Sequence, residues 1–336
     1  MMFPFSYFLF FFTLVLGIII SISSPSWFGA WIGLELNLLS FIPLITLKMN
    51  SYLSEAALKY FLVQALGSAL LISSSLFFIS FLFFGSLCVL SALLLKLGAA
   101  PFYFWFPQVM KGLMWPQAFF LASVQKLAPL ALLSFLTLNS KVILIVSLSA
   151  VMSALTGALG GLNLMNLREI IAFSSINHLS WMLMAISIND TLWILYYTIY
   201  FLVLLSIVST FHKIKASSIS NILQSSRANS SNKLSISLSL FSLGGLPPLT
   251  GFIPKWVLIQ VMLNLHLFAT LFFLLFSSLL TLYYYLRILT PFILLFNPLM
   301  STNMKNKHSM STNHLFSSSI YFNLIGILFP IYPIFF

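Results

Sequence analysis

The feature that most constrains this chain is its scarcity of charge along long apolar runs. Only 6% of its 336 residues are Asp, Glu, Lys or Arg, whereas 60% are hydrophobic. A soluble domain carries about 25% charged residues, which let water solvate its surface. The composition therefore excludes a soluble enzyme, a nucleic-acid-binding domain and a disordered protein, and it predicts an all-α polytopic membrane protein.

Apolar segments long enough to cross a bilayer recur along the chain. A helix that crosses about 30 Å of hydrocarbon needs roughly 20 mostly apolar residues. We predict eleven spans in a single transmembrane domain, the first of them a helix rather than a presequence or signal peptide. The spans cover residues 3–22, 27–46, 55–79, 82–106, 115–136, 141–161, 166–187, 190–211, 235–261, 266–296 and 317–336, with polar loops at 212–234 and 297–316.

The net charge of +11 is distributed unevenly between the two membrane faces. If the N-terminus is on side one, the connections on the opposite side contain one basic residue, Lys141. The positive-inside rule then places side one, and the N-terminus, in the cytoplasm or matrix and the C-terminus on the opposite side. The basic residues of side one are Lys48, Lys111, Arg168, Lys213, Lys215, Arg227, Lys233, Lys305 and Lys307.

Five basic residues remain inside the predicted spans. Lys59 and Arg287 lie toward the basic-side ends of their spans, where long side chains reach the interface. Lys96 and Lys126 lie near span centres, as does Glu35, and ionisable groups at that depth usually face a protein interior or a water-filled path. A purely structural ion pair, neutral buried groups and misplaced span edges are the alternative interpretations.

These mid-membrane groups have the chemistry of a proton relay. A low-dielectric site lowers the proton affinity of a lysine, and a nearby carboxylate raises it again. A glutamate followed by lysines, with water between them, can therefore pass protons along. His178, among Ser and Asn residues at 170–182, could extend the relay, although a histidine hydrogen-bonded between helices is an equally good interpretation. The residue spacing indicates no metal site.

Two spans contain Gly and Pro in their interiors, at 95–107 and 240–256. Proline removes a backbone donor and glycine permits the bend, which is typical of the discontinuous helices of transporters, although an ordinary kink is the simpler alternative. Lys96 precedes the first break and Lys255 follows the second. Because the breaks lie five spans apart, we predict two inverted five-helix units, 1–137 and 138–296, followed by 297–336. The matched residues are Leu97-Gly98-Ala99-Ala100-Pro101 and Leu243-Gly244-Gly245-Leu246-Pro247.

Several segments, in order, resemble mitochondrially encoded NADH–ubiquinone oxidoreductase chain 2, a membrane-arm subunit of respiratory complex I. The resemblance covers roughly residues 25–290. It rests on WIGLELNLLSFIPL (31–44), EAALKYFLVQALGSALL (55–71), LKLGAAPFYFWFP (95–107), SVQKLAPL (123–130), GALGGLNLMNLREIIAFSSINHLSWM (157–182) and GGLPPLTGFIPKW (244–256).

The resemblance implies an antiporter-like fold and a proton-translocating role. It implies that Glu35 pairs with Lys96, that Lys126 is the central lysine, and that Lys255 belongs to the second broken helix. NADH, FMN, iron–sulfur clusters and ubiquinone would be bound by other subunits, with no cofactor or metal in this chain. Its partners would be other membrane-arm subunits and lipids, without nucleic acid, in an obligate hetero-oligomer of the mitochondrial inner membrane, where the basic side is the matrix.

Two departures from the family and two other functions stay open at this point. The family often has histidine at the position of Tyr103 and an acid at that of Gln108, and a tyrosine with an ordinary pKa near 10 is a poor proton acceptor. The chain could instead be a stand-alone cation/proton antiporter, or a structural spacer of the complex that pumps no protons.

Overall fold

The computed structural model describes residues 5–46, 50–80, 82–137, 139–221, 230–294 and 322–324, and most of them are α-helical. Within these ranges there are thirteen named helices and no strand, which confirms the all-α prediction. They are α1 (Phe5–Ser23), α2 (Trp27–Thr46), α3 (Ser51–Ser80), α4 (Leu82–Leu97), α5 (Trp105–Gly112), α6 (Trp115–Ala122), α7 (Val124–Leu136), α8 (Ser140–Gly160), α9 (Leu167–Ile188), α10 (Asp190–Ile214), α11 (Ser230–Gly244), α12 (Phe252–Asn264) and α13 (Phe268–Leu294).

Seven helical segments are long and apolar enough to span a membrane, with α6 and α7 together forming one of them. The others are α2, α3, α8, α9, α10 and α13, and four shorter apolar helices lie in α1, α4, α11 and α12. The predicted span at 317–336 and the loop at 297–316 lie outside the described residues apart from 322–324. The total of eleven spans therefore stays a prediction.

The helices pack in two similar arrangements. α1 lies against α2, and a Cβ added at Gly17 would be 3.0 Å from the backbone nitrogen of Asn37. α8 lies against α9, and a Cβ added at Gly157 would be 2.8 Å from the backbone nitrogen of Asn177. Because glycine has no side chain, the backbones approach closely at both crossings. Both contacts join residues that are twenty positions apart in the chain.

The first predicted break lies between α4 and α5, over residues 98–104. Gly98 has φ +68°, a left-handed conformation that glycine adopts without steric cost. Its N–H donates to the Leu95 carbonyl at 3.2 Å, and the N–H of Ala99 donates to the Leu94 carbonyl at 3.1 Å. These bonds satisfy carbonyls that the end of α4 would otherwise leave free.

The second predicted break, residues 245–251 between α11 and α12, repeats this backbone. Gly245 has φ +76°, and its N–H donates to the Ser242 carbonyl at 3.1 Å. The N–H of Leu246 donates to the Phe241 carbonyl at 3.2 Å. Both broken helices are therefore confirmed, and each is interrupted for seven residues.

The structural match between the breaks differs by one residue from the sequence match. Gly245, not Gly244, is the counterpart of Gly98, because only Gly245 shares its left-handed conformation. The same spacing of 147 positions relates the first residue of α5 to that of α12. In this register Lys255 corresponds to Gln108, so the two lysines beside the breaks occupy different positions.

Three connections of the predicted basic side meet at one end of the bundle. Arg168 donates to the Lys111 carbonyl at 3.3 Å, and the Trp115 indole donates to the Ala216 carbonyl at 2.9 Å. Lys111 also pairs with Glu169 at 3.1 Å. These contacts join the end of α5 to the start of α9, and the start of α6 to the residues that follow α10.

Candidate functional site

Glu35 on α2 and Lys96 on α4 lie within electrostatic range of each other inside the bundle. The Lys96 side chain is only 6% exposed and lies over Gly67 of α3, where an added Cβ would be 3.0 Å from its Cγ. The charge of Glu35 acts on Lys96, although no ion pair within 4.0 Å joins these two described residues. The Oε2 atom of Glu35 is buried without a hydrogen-bond partner among the described residues. The pairing of Glu35 with Lys96 that the resemblance implies stays a prediction.

A polar cavity separates Lys96 from Lys126. It has room at its centre for about one water molecule. Its polar lining supplies the hydrogen-bond partners that a buried water needs. The lining residues are Leu34, Asn37, Tyr60, Gln64, Lys96, Leu97, Trp105, Phe106, Leu121, Gln125, Lys126 and Pro129.

A chain of three side chains crosses this cavity wall, and sequence reasoning missed it. The Tyr60 hydroxyl donates to Oε1 of Gln125 at 3.3 Å, and Nε2 of Gln125 donates to Oδ1 of Asn37 at 2.9 Å. Gln64 donates to the Lys96 carbonyl at 3.2 Å. The sequence signal for this network was the presence of amide side chains inside predicted spans, where unpaired polar groups are costly.

Lys126 is 3% exposed and is held by neutral groups. Its Nζ donates to the Ser175 carbonyl of α9 at 3.1 Å and lies 4.8 Å from the centroid of the Phe106 ring. It follows a third helix break, which sequence reasoning also missed, because Ser123 interrupts the predicted span 115–136 between α6 and α7. No glycine marks this break in the sequence.

His178 on α9 lies within electrostatic range of both Lys126 and Lys255. Its Nδ1 lies 2.9 Å from the Tyr196 hydroxyl, and the backbone of Leu243 at the end of α11 also hydrogen-bonds the ring. The imidazole is therefore bonded between helices and close to the relay at the same time, which leaves both interpretations of His178 compatible with the structure.

Lys255 on α12 is 5% exposed and reaches back across the second break. Its Nζ donates to the Gly244 carbonyl at 2.9 Å, and a Cβ at Gly245 would lie 2.8 Å from Nζ. Four of the five predicted site residues are therefore buried in the interior, namely Lys96, Lys126, His178 and Lys255. The fifth, Glu35, is half-buried.

The other two basic residues of the predicted spans, Lys59 and Arg287, have partners of their own. Lys59 forms an ion pair with Glu55 at 2.7 Å on the outer face of α3, with 43% and 62% of the two side chains exposed. Arg287 donates to the carbonyls of Leu162 and Leu164 in the connection between α8 and α9. Neither residue faces the interior cavities.

The two positions that depart from the resemblance lie apart from the buried lysines. Tyr103 is half-buried and stacks on Phe104 with 4.1 Å between ring centroids, whereas Gln108 is exposed. In the part of the chain that the structure describes, no group of three or more His, Cys, Asp or Glu residues could hold a metal ion.

Comparisons with known proteins agree with this architecture. A family model described as NADH:quinone oxidoreductase/Mrp antiporter, TM, matches residues 24–281. NADH-ubiquinone oxidoreductase chain 2 of Anopheles gambiae is 44% identical over 94% of this chain and 93% of its own, and that of Aedes aegypti is 42% identical over 95% of each. Among solved structures, a chain of respiratory complex I from Thermus thermophilus with bound aureothin superposes with a TM-score of 0.82 at 24% identity, covering 97% of this chain and 78% of that chain. A chain of the Mrp complex from Dietzia sp. gives 0.73 at 17%, covering 83% and 59%.

Proposed function

Because this chain belongs to the family of NADH-ubiquinone oxidoreductase chain 2, we propose that it is a proton-translocating subunit of the membrane arm of respiratory complex I. It is a multi-pass protein of the mitochondrial inner membrane and works in a hetero-oligomer with other subunits. The NADH, flavin, iron–sulfur and ubiquinone chemistry belongs to those subunits. This chain would use the energy that they release to move protons.

The observation that carries the proposal is the burial of three lysines without an ion pair among the described residues. Lys96, Lys126 and Lys255 are 3–6% exposed. A charged group inside a membrane costs several kcal/mol, so such groups are rare and usually functional. The nearby partners of Lys126 and Lys255 are carbonyl oxygens, which can accept from an ammonium but do not hold its charge in place. Each lysine can therefore gain or lose a proton without breaking a salt bridge.

The proposed path runs through the interior from Glu35 to Lys255. A proton on Lys96 would reach Lys126 through water in the polar cavity between them. From Lys126 it would pass to Lys255 by way of His178, on which both lysine charges act. Movement of the Glu35 charge would change the proton affinity of Lys96 and so time the transfer.

The units 1–137 and 138–296 are proposed to be inverted repeats, with 297–336 outside them. Two observations support this: the breaks correspond over a spacing of 147 residues, and Gly17 meets Asn37 as Gly157 meets Asn177. Each unit would contain five spans, and an odd number of spans places the units in opposite orientations. The N-terminus is proposed to lie in the matrix and the C-terminus in the intermembrane space, as the basic connections predict.

Substitution of the central lysine tests the proposed function. In the assembled complex, Lys126→Met should greatly lower the number of protons translocated per electron, because methionine fills similar space without carrying a proton. The control is Lys141→Met, since Lys141 is exposed and lies over the Phe83 ring, 5.0 Å from its centroid. An unchanged proton-to-electron ratio in assembled Lys126→Met would favour the spacer function.

The antiporter alternative has support of its own, because the matched family model includes Mrp antiporters. Blue-native electrophoresis distinguishes it from the proposed function. Migration of the chain with a large respiratory complex is expected, whereas migration as a small free protein would contradict membership of the membrane arm.

A further inference from the structure

The break between α6 and α7 takes two hydrogen-bond partners from a single helix, α10. Ser123 leaves the helical path with φ −119° and ψ −78°. The Tyr197 hydroxyl donates to the Ser123 carbonyl at 3.2 Å, and the Tyr200 hydroxyl donates to the Ala122 carbonyl at 3.3 Å. Both tyrosines are buried, with 7% and 3% of their surface exposed.

These two hydroxyls satisfy carbonyls that the break removes from the regular helical pattern. Backbone groups at membrane depth have no bulk water to bond, so an interrupted helix is stable only where protein or cavity water replaces the missing donors. Phenylalanine at position 200 would fill almost the same space and leave the Ala122 carbonyl without its donor, and phenylalanine at position 197 would leave the Ser123 carbonyl with the Lys126 N–H as its remaining donor. The tyrosine oxygens, not the rings, therefore keep the break at this position.

The backbone and the side chain of Lys126 are held by two different helices. Its backbone N–H donates to the Ser123 carbonyl at 2.9 Å, the carbonyl that Tyr197 also bonds. Its Nζ donates to the carbonyl of Ser175 on α9 at 3.1 Å. The start of α7 is thus held by α10, and the ammonium group of Lys126 by α9.

A third tyrosine of α10, Tyr196, contacts His178. The Tyr196 hydroxyl lies 2.9 Å from Nδ1 of His178, and the Tyr200 ring centroid lies 5.0 Å from that of the imidazole. One helix therefore contacts the segment that carries Lys126 and the ring that follows it on the proposed path. No other described helix makes both contacts through hydroxyl groups.

We propose that Tyr197 and Tyr200 are positioning residues of the proton relay, which hold the α6–α7 break open and thereby set the distance from Lys126 to His178. The inference rests on the proposed function, because it assigns the tyrosines a part in that same path. Neither tyrosine needs to carry a proton for this role. Their hydroxyls act through the backbone on which Lys126 is mounted.

The test compares Tyr197→Phe, Tyr200→Phe and the double variant in the assembled complex. We expect about a tenfold lower rate of proton translocation per complex in the double variant, because a displacement of the order of 1 Å at a reacting group strongly slows transfer. The solvent deuterium isotope effect on NADH oxidation should rise, since proton transfer becomes the slower step. Tyr283→Phe, which removes the same atom from a side chain that is 59% exposed on α13, should change neither quantity.

Two reference measurements separate this inference from the proposed function. If Lys126→Met translocates protons normally, the proposed function fails and the positioning role fails with it. If Lys126→Met is inactive but the tyrosine variants keep a normal rate and isotope effect, the positioning role alone is overturned. If a single Phe variant prevents assembly while Tyr283→Phe assembles, the hydroxyls serve folding, which also overturns the inference.

Discussion

The two halves of the chain share a backbone plan but place different charges inside it. Each half contains a helix interrupted for seven residues that begin with a left-handed glycine, Gly98 or Gly245. In the first half, Lys96 precedes the break and feels the charge of Glu35. In the second half, Lys255 follows the break. Among the described residues, its side chain donates one hydrogen bond, to the Gly244 carbonyl.

This difference separates the architecture from the chemistry. In both halves, a carbonyl just before the left-handed glycine accepts from a side chain: that of Lys96 from Gln64, and that of Gly244 from Lys255. In the first half an acid, Glu35, acts on the buried lysine, Lys96. In the second half the buried lysine, Lys255, bonds a carbonyl and acts on the imidazole of His178.

The largest contrast is expected between Lys96→Met and Lys255→Met. Removing Lys96 leaves Glu35, which is half-buried and has one oxygen without a hydrogen-bond partner among the described residues, without its nearby opposite charge, and this should destabilise the protein. Removing Lys255 leaves one carbonyl unpaired but also removes the cost of burying an ammonium, so its net effect on stability should be small. Blue-native electrophoresis should therefore reveal much less assembled complex for Lys96→Met.

A double variant controls this contrast. Glu35→Gln combined with Lys96→Met removes both charges and should restore assembly toward the normal amount, while proton translocation stays impaired. Equal losses of assembled complex in Lys96→Met and Lys255→Met would contradict the charge difference between the halves.

The next largest effect is expected from removing the hydrogen-bond partners of Asn37 in the first half and Asn177 in the second half. Gln125→Leu would remove the bonds to Tyr60 and Asn37 and should lower the free energy of unfolding by about 2 kcal/mol. Ser277→Ala would remove one donor to Oδ1 of Asn177, which should have about half that effect. Thermal denaturation of the purified complex measures both. A larger loss for Ser277→Ala would show that the Gln125 network contributes little.

Much of the fold could be predicted from the sequence because a membrane imposes a simple rule on it. Runs of about 20 apolar residues must be helices, since only helices satisfy their own backbone there. The breaks at Gly98 and Gly245 were also predictable, because glycine and proline stand in otherwise apolar spans. The break at Ser123 was not, because its carbonyls are satisfied by tyrosines that are 74 and 78 residues away in the chain.

The site was predictable where charge is scarce and unpredictable where the groups are neutral. Glu35, Lys96 and Lys126 stand out because a charge at mid-membrane is costly. Gln125 and Asn37 do not stand out, since an amide can also pair with backbone in a structural role, and only the geometry places both on the cavity between the lysines. The residue-by-residue match between the two breaks could not be predicted either. Gly244 and Gly245 are the same residue type, and only their backbone conformations show that Gly245 corresponds to Gly98.

A smaller effect is expected from placing alanine at the two left-handed glycines. Gly98→Ala and Gly245→Ala should each cost about 1–2 kcal/mol of stability through the left-handed backbone. The new Cβ at position 245 would lie within 3.1 Å of Nζ, Cδ and Cε of Lys255, whereas at position 98 it would meet Phe106 and Trp105. Equal thermal shifts are therefore expected, with a selective loss of proton translocation in Gly245→Ala. Equal translocation by the two variants would contradict the placement of Lys255 against the second break.

The smallest effect is expected at Lys59, the lysine of the first half that faces outward. Its pair with Glu55 is exposed and lies one helical turn apart on α3, and such pairs contribute little because the charges are already solvated. Lys59→Gln should leave assembly, thermal stability and the proton-to-electron ratio unchanged. Because Lys59 and Lys96 belong to the same half, an effect of Lys59→Gln on proton translocation would mean that exposure does not separate the lysines of the relay from those of the surface.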